Sequence, residues 1–264
     1  MTSKAPISPE GKSLYFDLQA DFGITKHMGG AKATDELLAL CHIGESTSAL
    51  EVGCGIGLTP CHIAKRYGCR VMGVDIAERM VERSKARAEK QGLSDRVEFR
   101  VADAQRLPFE DARFDMVISE SVTAFVADKG RAVSEYGRVT RQGGYVGLNE
   151  VTWLKVPPPS LVAYISLIMA GADFLTAEGW RGLLENAGLS DIEVRSHKFD
   201  MRSQYRAEIR YLDLREYTRA WYRFMTQIFV NPAYRRFTRQ IFSAPGNMFK
   251  FMDYIGSGLY VGRK

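Results

Sequence analysis

From residue 47 to residue 150, short apolar runs alternate with stretches whose apolar positions recur every three or four residues. The short runs predict buried strands and the longer period predicts helices packed over them. Ala49–Val52, Cys69–Val74, Arg96–Ala102 and Phe114–Glu120 read as four strands, and a turn at Arg141-Gln-Gly143-Gly144 feeds a fifth. Ala31–Cys41 and Leu58–Tyr67 read as helices. This alternation is the signature of a parallel sheet covered on both faces, a doubly wound α/β fold. Ser13–Phe22 is weakly helical in pattern, and His27-Met28-Gly29-Gly30 breaks the chain before the first firm helix.

The pattern changes after Pro157-Pro158-Pro159. Ser160–Ala170 is an apolar helix, and Thr176–Gly188 is an amphipathic one that Thr176 caps and Gly188 ends. Asp191–His197 alternates like a strand, residues 203–252 are largely helical in pattern and rich in aromatics, and Tyr254–Arg263 reads as a last strand. The expected organisation is a lead-in or lid at 1–46, a ligand-binding core at 47–150, and a completing segment at 151–264 with a helical cap near 203–252.

The chemistry concentrates at residues 49–57, Ala-Leu-Glu-Val-Gly-Cys-Gly-Ile-Gly. An apolar run ends in Glu51, and Gly53, Gly55 and Gly57 remove side chains from alternate positions, so that backbone amides can approach a ligand. The next strand ends in Asp75, and ligands bind at such carboxyl ends of parallel strands. A dinucleotide site wants Gly-x-Gly-x-x-Gly beneath a pyrophosphate. Here Leu58 takes the last position and the third glycine comes one residue early, at Gly57.

The order acid-Val-Gly-Cys-Gly-Ile-Gly instead resembles motif I of the class I S-adenosylmethionine-dependent methyltransferases. Asp75, Asp103-Ala104, Phe114-Asp115 and Gly143-Gly144 follow at the family's spacing, so the resemblance covers residues 49–150. It implies a Rossmann-like seven-stranded sheet whose last strand is antiparallel, with about fifty residues inserted into the final hairpin. It also implies S-adenosylmethionine as cofactor, S-adenosylhomocysteine as product and no metal. Glu51, Gly53, Cys54, Gly55 and Gly57 would surround the amino acid end. Asp75, with Ile76 beside it, would accept from the ribose hydroxyls, and Asp103 and Ala104 would meet the adenine. Glu120 would lie nearest the transferred methyl. The lead-in folds over the donor in related small-molecule enzymes, which makes Tyr15 a cofactor contact and His27 a candidate general base. Glu120 is the second catalytic candidate, and as the sequence stands it could contact the donor, orient a cationic acceptor or act as base.

Composition narrows the picture modestly. With 264 residues, 45% hydrophobic and 25% charged, the chain can build one substantial core with an attached subdomain. A net charge of +5 is too mild to indicate nucleic acid. Cysteines at 41, 54, 61 and 69 show neither Cys-x-x-Cys nor zinc-like spacing, which suits a reducing cytoplasm. The first residues lack the apolar core of a signal peptide. Leu161–Leu175, broken by Gly171 and Asp173, is short for a bilayer span. His42, His62 and Asp115 read as structural or surface residues.

No Ser/His/Asp order supplies hydrolytic chemistry, and methyl transfer from a sulfonium needs no nucleophilic residue. Ser119-Glu120-Ser121-Val122 departs from the Asn/Asp-Pro-Pro-Tyr/Phe of enzymes that methylate base or glutamine amines. The subgroup resembled acts on quinone precursors, glycine derivatives, phosphoethanolamine or sterols, so a small-molecule acceptor is expected. A homo-oligomer stays open. Arg215, Arg219 and Arg223, at i, i+4 and i+8, share a helix face. They motivate the alternative of an RNA or protein substrate, and a third reading is a binder of the donor that transfers nothing. Most aromatics of 203–252, Tyr205, Tyr211, Tyr217, Trp221, Tyr222, Phe224, Phe229, Tyr234, Phe237, Phe242, Phe249 and Phe251 among them, are expected to bury their helices on the main domain.

Overall fold

The computed structural model describes residues 15–16, 28–198, 214–243 and 253–264. Its centre is one sheet in the order β3-β2-β1-β4-β5-β8-β7, with the two-residue β6 paired to β5 off that path. The strands are β1 (Ser48–Val52), β2 (Arg70–Asp75), β3 (Val97–Val101), β4 (Phe114–Glu120), β5 (Thr140–Trp153), β6 (Leu175–Thr176), β7 (Ser190–Lys198) and β8 (Ile255–Arg263). Strands β1 to β5 are parallel, while β8 runs antiparallel to both β5 and β7. The order reverses beside β1, between β1 and β4, and this opens a crevice at the carboxyl ends of the two strands.

The helices follow their sequence signals. They are α1 (Gly30–Leu40), α2 (Leu58–Tyr67), α3 (Glu78–Lys90), α4 (Lys129–Val139), α5 (Pro159–Ile168), α6 (Ala177–Asn186), α7 (Leu214–Val230) and α8 (Pro232–Phe242). Asp128 caps α4 by accepting from Arg131 N at 2.9 Å, and Thr176 caps α6 by accepting from Gly179 N at 3.3 Å. The sheet separates two apolar layers. One gathers Leu50, Val117, Tyr136, Leu148, Trp180 and Tyr260, and the other Leu37, Ile63, Val71, Met116 and Ile118.

The turn expected at 141–144 lies inside β5. Thr140 is opposite Phe114 and Tyr145 is opposite Met116, so residues 141–144 bulge from one continuous strand. Gly144 permits it, since a Cβ there would come within 2.6 Å of the Asp115 carbonyl oxygen. Asp115 has the structural role read from the sequence. It accepts from Ser48 N at 2.6 Å and pairs with Arg141 Nε at 2.6 Å.

Trp180 joins α6 to the strand that carries the site. It is wholly buried, donates from Nε1 to Val151 O at 3.2 Å, and lies 6.2 Å from the Tyr260 ring. Trp180→Ala is expected to lower stability by about 3–5 kcal/mol, the usual cost of emptying an aromatic site. Urea unfolding of the two proteins measures the difference.

Candidate functional site

The glycine turn after β1 is built by the chain's own hydrogen bonds. Gly53 N and Cys54 N both donate to Val74 O, at 2.7 and 2.9 Å, and Gly57 N donates to Cys54 O at 2.9 Å. Gly55 N donates to Asp75 Oδ2 at 2.9 Å. The carbonyls are held from α3, by Ser84 Oγ on Gly55 O at 2.7 Å and Arg87 Nε on Ile56 O at 2.9 Å. The sequence suggested amides open to a ligand, but these four are spent inside the protein. The glycines serve close approach. At Gly53, φ is +79°, and a Cβ would fall 2.2 Å from Val122 Cγ2 on the opposing wall. Gly57 stands behind the wall, where a Cβ would press on Phe99 and Ser84 at 3.0 Å.

Above this turn is a crevice of about 340 Å³, near the lower end for small-molecule sites. Glu51, Gly53, Cys54, Gly55, Asp75, Ile76, Asp103, Ala104 and Glu120, all singled out from sequence, line it. Its other wall is Thr59, Met80, Ala102, Gln105, Ser121 and the run Val122, Phe125, Val126 and Ala127. Phe16 is at its rim, whereas Tyr15 packs on Phe125 with ring centroids 5.7 Å apart and does not line it. His27 lies outside the described residues.

The lining contains four carboxylates, Glu51, Asp75, Asp103 and Glu120, and no Lys, Arg or His among the described residues. Burial drives the Glu51 carboxyl well above the ordinary carboxylate range, helped by the charges of Glu120 and Asp75. Glu51 Oε2 is buried with no hydrogen-bond partner. Burial raises the Asp75 carboxyl as well, against the lowering effect of the Ala77, Gly55 and Ile76 amides. Asp103 is tied into a local turn, accepting from Gln105 N at 2.9 Å. The crevice thus offers acceptors and negative charge to a ligand that brings hydroxyls and positive charge. A diphosphate would meet four acids, with four of the turn's amides already in use. No group of three or more metal-ligating side chains occurs among the described residues.

Glu120, at the end of β4, joins three elements. It accepts from Thr34 Oγ1 of α1 at 3.2 and 3.0 Å, Thr59 Oγ1 of α2 at 3.1 Å and Asn149 Nδ2 of β5 at 3.0 Å. The same Asn149 amide donates to Met28 O at 3.0 Å, and Met28 N donates to Ser121 Oγ at 3.3 Å. The end of the lead-in is thereby fastened to the crevice floor. Beyond Glu120 the chain turns through Ser121 at φ +56°. Buried Glu150 holds that turn, accepting with Oε1 from Thr123 N at 2.7 Å and Val122 N at 3.2 Å. The sequence reading missed Thr34, Thr59, Asn149 and Glu150. Their polar side chains sit at positions that an apolar pattern would fill, and that was the available signal.

All four cysteines are unpaired by disulfides and buried. Burial pushes the Cys61 thiol up to about 11, and pushes Cys41 and Cys54 higher still.

A family model described as a methyltransferase domain matches residues 50–148. An uncharacterized protein of Haemophilus influenzae is 32% identical over 178 residues, 66% of this chain and 71% of that protein. The 27-O-demethylrifamycin SV methyltransferase of Amycolatopsis mediterranei is 32% identical over 150 residues, 57% of this chain and 54% of that one. The chain spans 29 to 60% of the length of the named curated relatives it matches. Among solved structures, the 4+2 cyclase SpnF matches with a TM-score of 0.73 at 20% identity, covering 98% of this chain and 97% of that one, a likeness of fold.

Burial raises the Glu150 carboxyl from 4.5 to about 7. Between those values the native protein holds a proton that the unfolded chain has released, so this contribution is full below 4.5 and fades as pH rises through 7. From pH 4.5 to alkaline pH the wild type should lose about 3 kcal/mol relative to Glu150→Gln. Urea unfolding of both proteins across that range reads the difference in slope.

Proposed function

The chain belongs to the class I S-adenosylmethionine-dependent methyltransferases, and from that premise we propose that it methylates a small-molecule acceptor in the crevice beside the glycine turn. One observation carries this reading: four lining carboxylates with no basic side chain beside them among the described residues. When bound, S-adenosylmethionine supplies a methyl carbon already activated by a sulfonium. Its cationic amino acid end and ribose diol suit what the residues offer.

Glu51 is the residue most in need of such a ligand, because its buried Oε2 has no partner. We assign it to the amino acid end, with Gly53 and Gly55 permitting close approach. Asp75 accepts from Gly55 N with Oδ2 and from Ala77 N with Oδ1, each at 2.9 Å, and even with the Ile76 amide beside them the carboxylate keeps a lone pair for a ribose hydroxyl. Asp103 and Ala104 serve the adenine. Gly57 supports the turn from behind.

Glu120 orients more than it abstracts, in our reading, since three neutral donors already hold its carboxylate. Val122, Phe125, Val126 and Met80 exclude water and suit an acceptor with an apolar body. The helical segment after residue 151 selects that acceptor, and His27 remains the candidate base from the lead-in. Four free, buried thiols are in keeping with a reducing compartment such as the cytoplasm.

Glu51→Gln and Asp75→Ala should each weaken S-adenosylmethionine binding by about 1.5–3 kcal/mol, the range for hydrogen bonds to a charged group. Glu51→Gln should leave the ligand-free protein at least as stable as wild type, since it removes an unpartnered buried acid. Calorimetry with both variants tests the site, and unchanged affinity in both rejects it. Mass spectrometry for S-adenosylhomocysteine over quinone, phenol, amine and carboxylate acceptors tests the reaction. Silence across all of them rejects the small-molecule reading.

A further inference from the structure

Of the seven aromatics whose side chains are described on α7 and α8, only Phe224, Tyr234 and Phe237 are buried or half-buried, fewer than the sequence suggested. Tyr222, Phe229 and Phe242 are 72, 77 and 80% exposed, and Trp221 and Met225 are exposed too. The side chain of Tyr217, and all of Tyr205, Tyr211, Phe249 and Phe251, lie outside the described residues.

The helix pair is nevertheless fixed to the body through its other face. Asn231 Oδ1 caps α8 by accepting from Ala233 N at 2.9 Å, and Arg235 donates to Phe229 O at 2.7 Å, closing the α7–α8 corner. The Phe224 and Tyr234 rings meet at 6.1 Å, with Tyr234 buried. Tyr164 Oη of α5 donates to Ile241 O at 2.6 Å. The loop after α5 in turn reaches the crevice wall, where Asp173 N donates to Ala124 O at 2.9 Å.

The outward half of α7 is divided lengthwise. Trp221, Met225 and Phe229 recur at i, i+4 and i+8 and form one apolar stripe, with Tyr222 beside it. Arg215, Arg219 and Arg223 form a second exposed stripe at the same spacing. Residues 214–242 contain six arginines, Glu216 as their single acid, and no lysine or aspartate. A helix with a basic stripe beside an exposed Trp/Phe/Met stripe has the chemistry of one lying flat in a headgroup layer.

We infer that the α7–α8 pair is a docking surface for an anionic lipid bilayer. No described helix is long and apolar enough to cross a membrane, so this is contact with one leaflet. A second copy is a poorer occupant, because two-fold pairing would set each arginine stripe against either its twin or the apolar stripe. RNA would find rings to stack on in Trp221, Tyr222 and Phe229, but the exposed aliphatic Met225 and Val230 beside them match hydrocarbon better than bases, so RNA binding is kept as an outcome of the test. The inference does not depend on the methyl-transfer reading.

Trp221 makes the test direct. Of the three tryptophans, Trp153 and Trp180 are buried, and Trp221 is 43% exposed. The full chain is titrated with phosphatidylcholine vesicles, with and without one-third phosphatidylserine, following tryptophan emission and sedimentation. Blue-shifted emission and pelleting with the anionic vesicles are expected, with at least about tenfold weaker pelleting on neutral ones and at high salt. Two double variants, Met225→Ala with Phe229→Ala and Arg219→Glu with Arg223→Glu, should each lose at least about tenfold. Their circular dichroism and thermal melting should match wild type. A charge-reversed pair that melts early is replaced by Arg219→Gln with Arg223→Gln, for which the same loss is expected. Failure of the wild type to pellet, pelleting unaltered in folded variants, a concentration-dependent dimer abolished by the same variants, or RNA binding without vesicle binding would each overturn the inference.

Discussion

One buried carboxylate organises this site. Glu120 ends β4 where the sheet order reverses, and a charge so placed must be met by donors or by a ligand. The donors come from three directions, Thr34 on α1, Thr59 on α2 and Asn149 on β5, from residues 86, 61 and 29 positions away in sequence. Satisfying one acid therefore seats the lead-in helix, the helix after the glycine turn and the central strand in a common frame. Asn149 extends the frame by committing its other amide hydrogen to Met28 O. Met28, α1 and the floor of the crevice are positioned as one unit, a form of preorganisation that lowers the ordering a ligand must impose.

The parts of this architecture that depend on local chemistry were legible in the sequence. The strand–helix alternation, the Thr176 cap and the acid-Gly-x-Gly-x-Gly turn are all set by neighbours in the chain, and each is found where it was read. Glu51, Asp75, Asp103 and Glu120 were legible because acids at strand ends are conspicuous. Thr34, Thr59, Asn149 and Glu150 were not, because the partner that gives each its purpose is distant in sequence and close only after folding. The bulge in β5 was misread as a turn for a related reason. Gly143-Gly144 marks a departure from ideal pairing, but only the register against β4 shows that the strand continues. The aromatics of α7 and α8 show that amphipathic period identifies a helix without saying what its apolar face meets.

Fold and chemistry carry separate information here. A structure whose name denotes a cyclase matches this chain over nearly its whole length, so the sheet alone does not choose a reaction. The choice lies in the lining. Four of the glycine turn's amides are engaged inside the protein, and an acid-rich lining with no basic side chain among the described residues disfavours a diphosphate. The same backbone arrangement that resembles a nucleotide cradle thus carries an acid-rich lining.

The burial of the cysteines has a practical corollary. Cys54 lies in the crevice wall, 3% exposed and with its thiol held in the protonated form by burial, so it is a poor nucleophile. Alkylation of so buried a thiol requires the wall to open, and a ligand lying against it is expected to slow the reaction. The protein thus carries an intrinsic reporter of occupancy, one that needs no label and no knowledge of the acceptor.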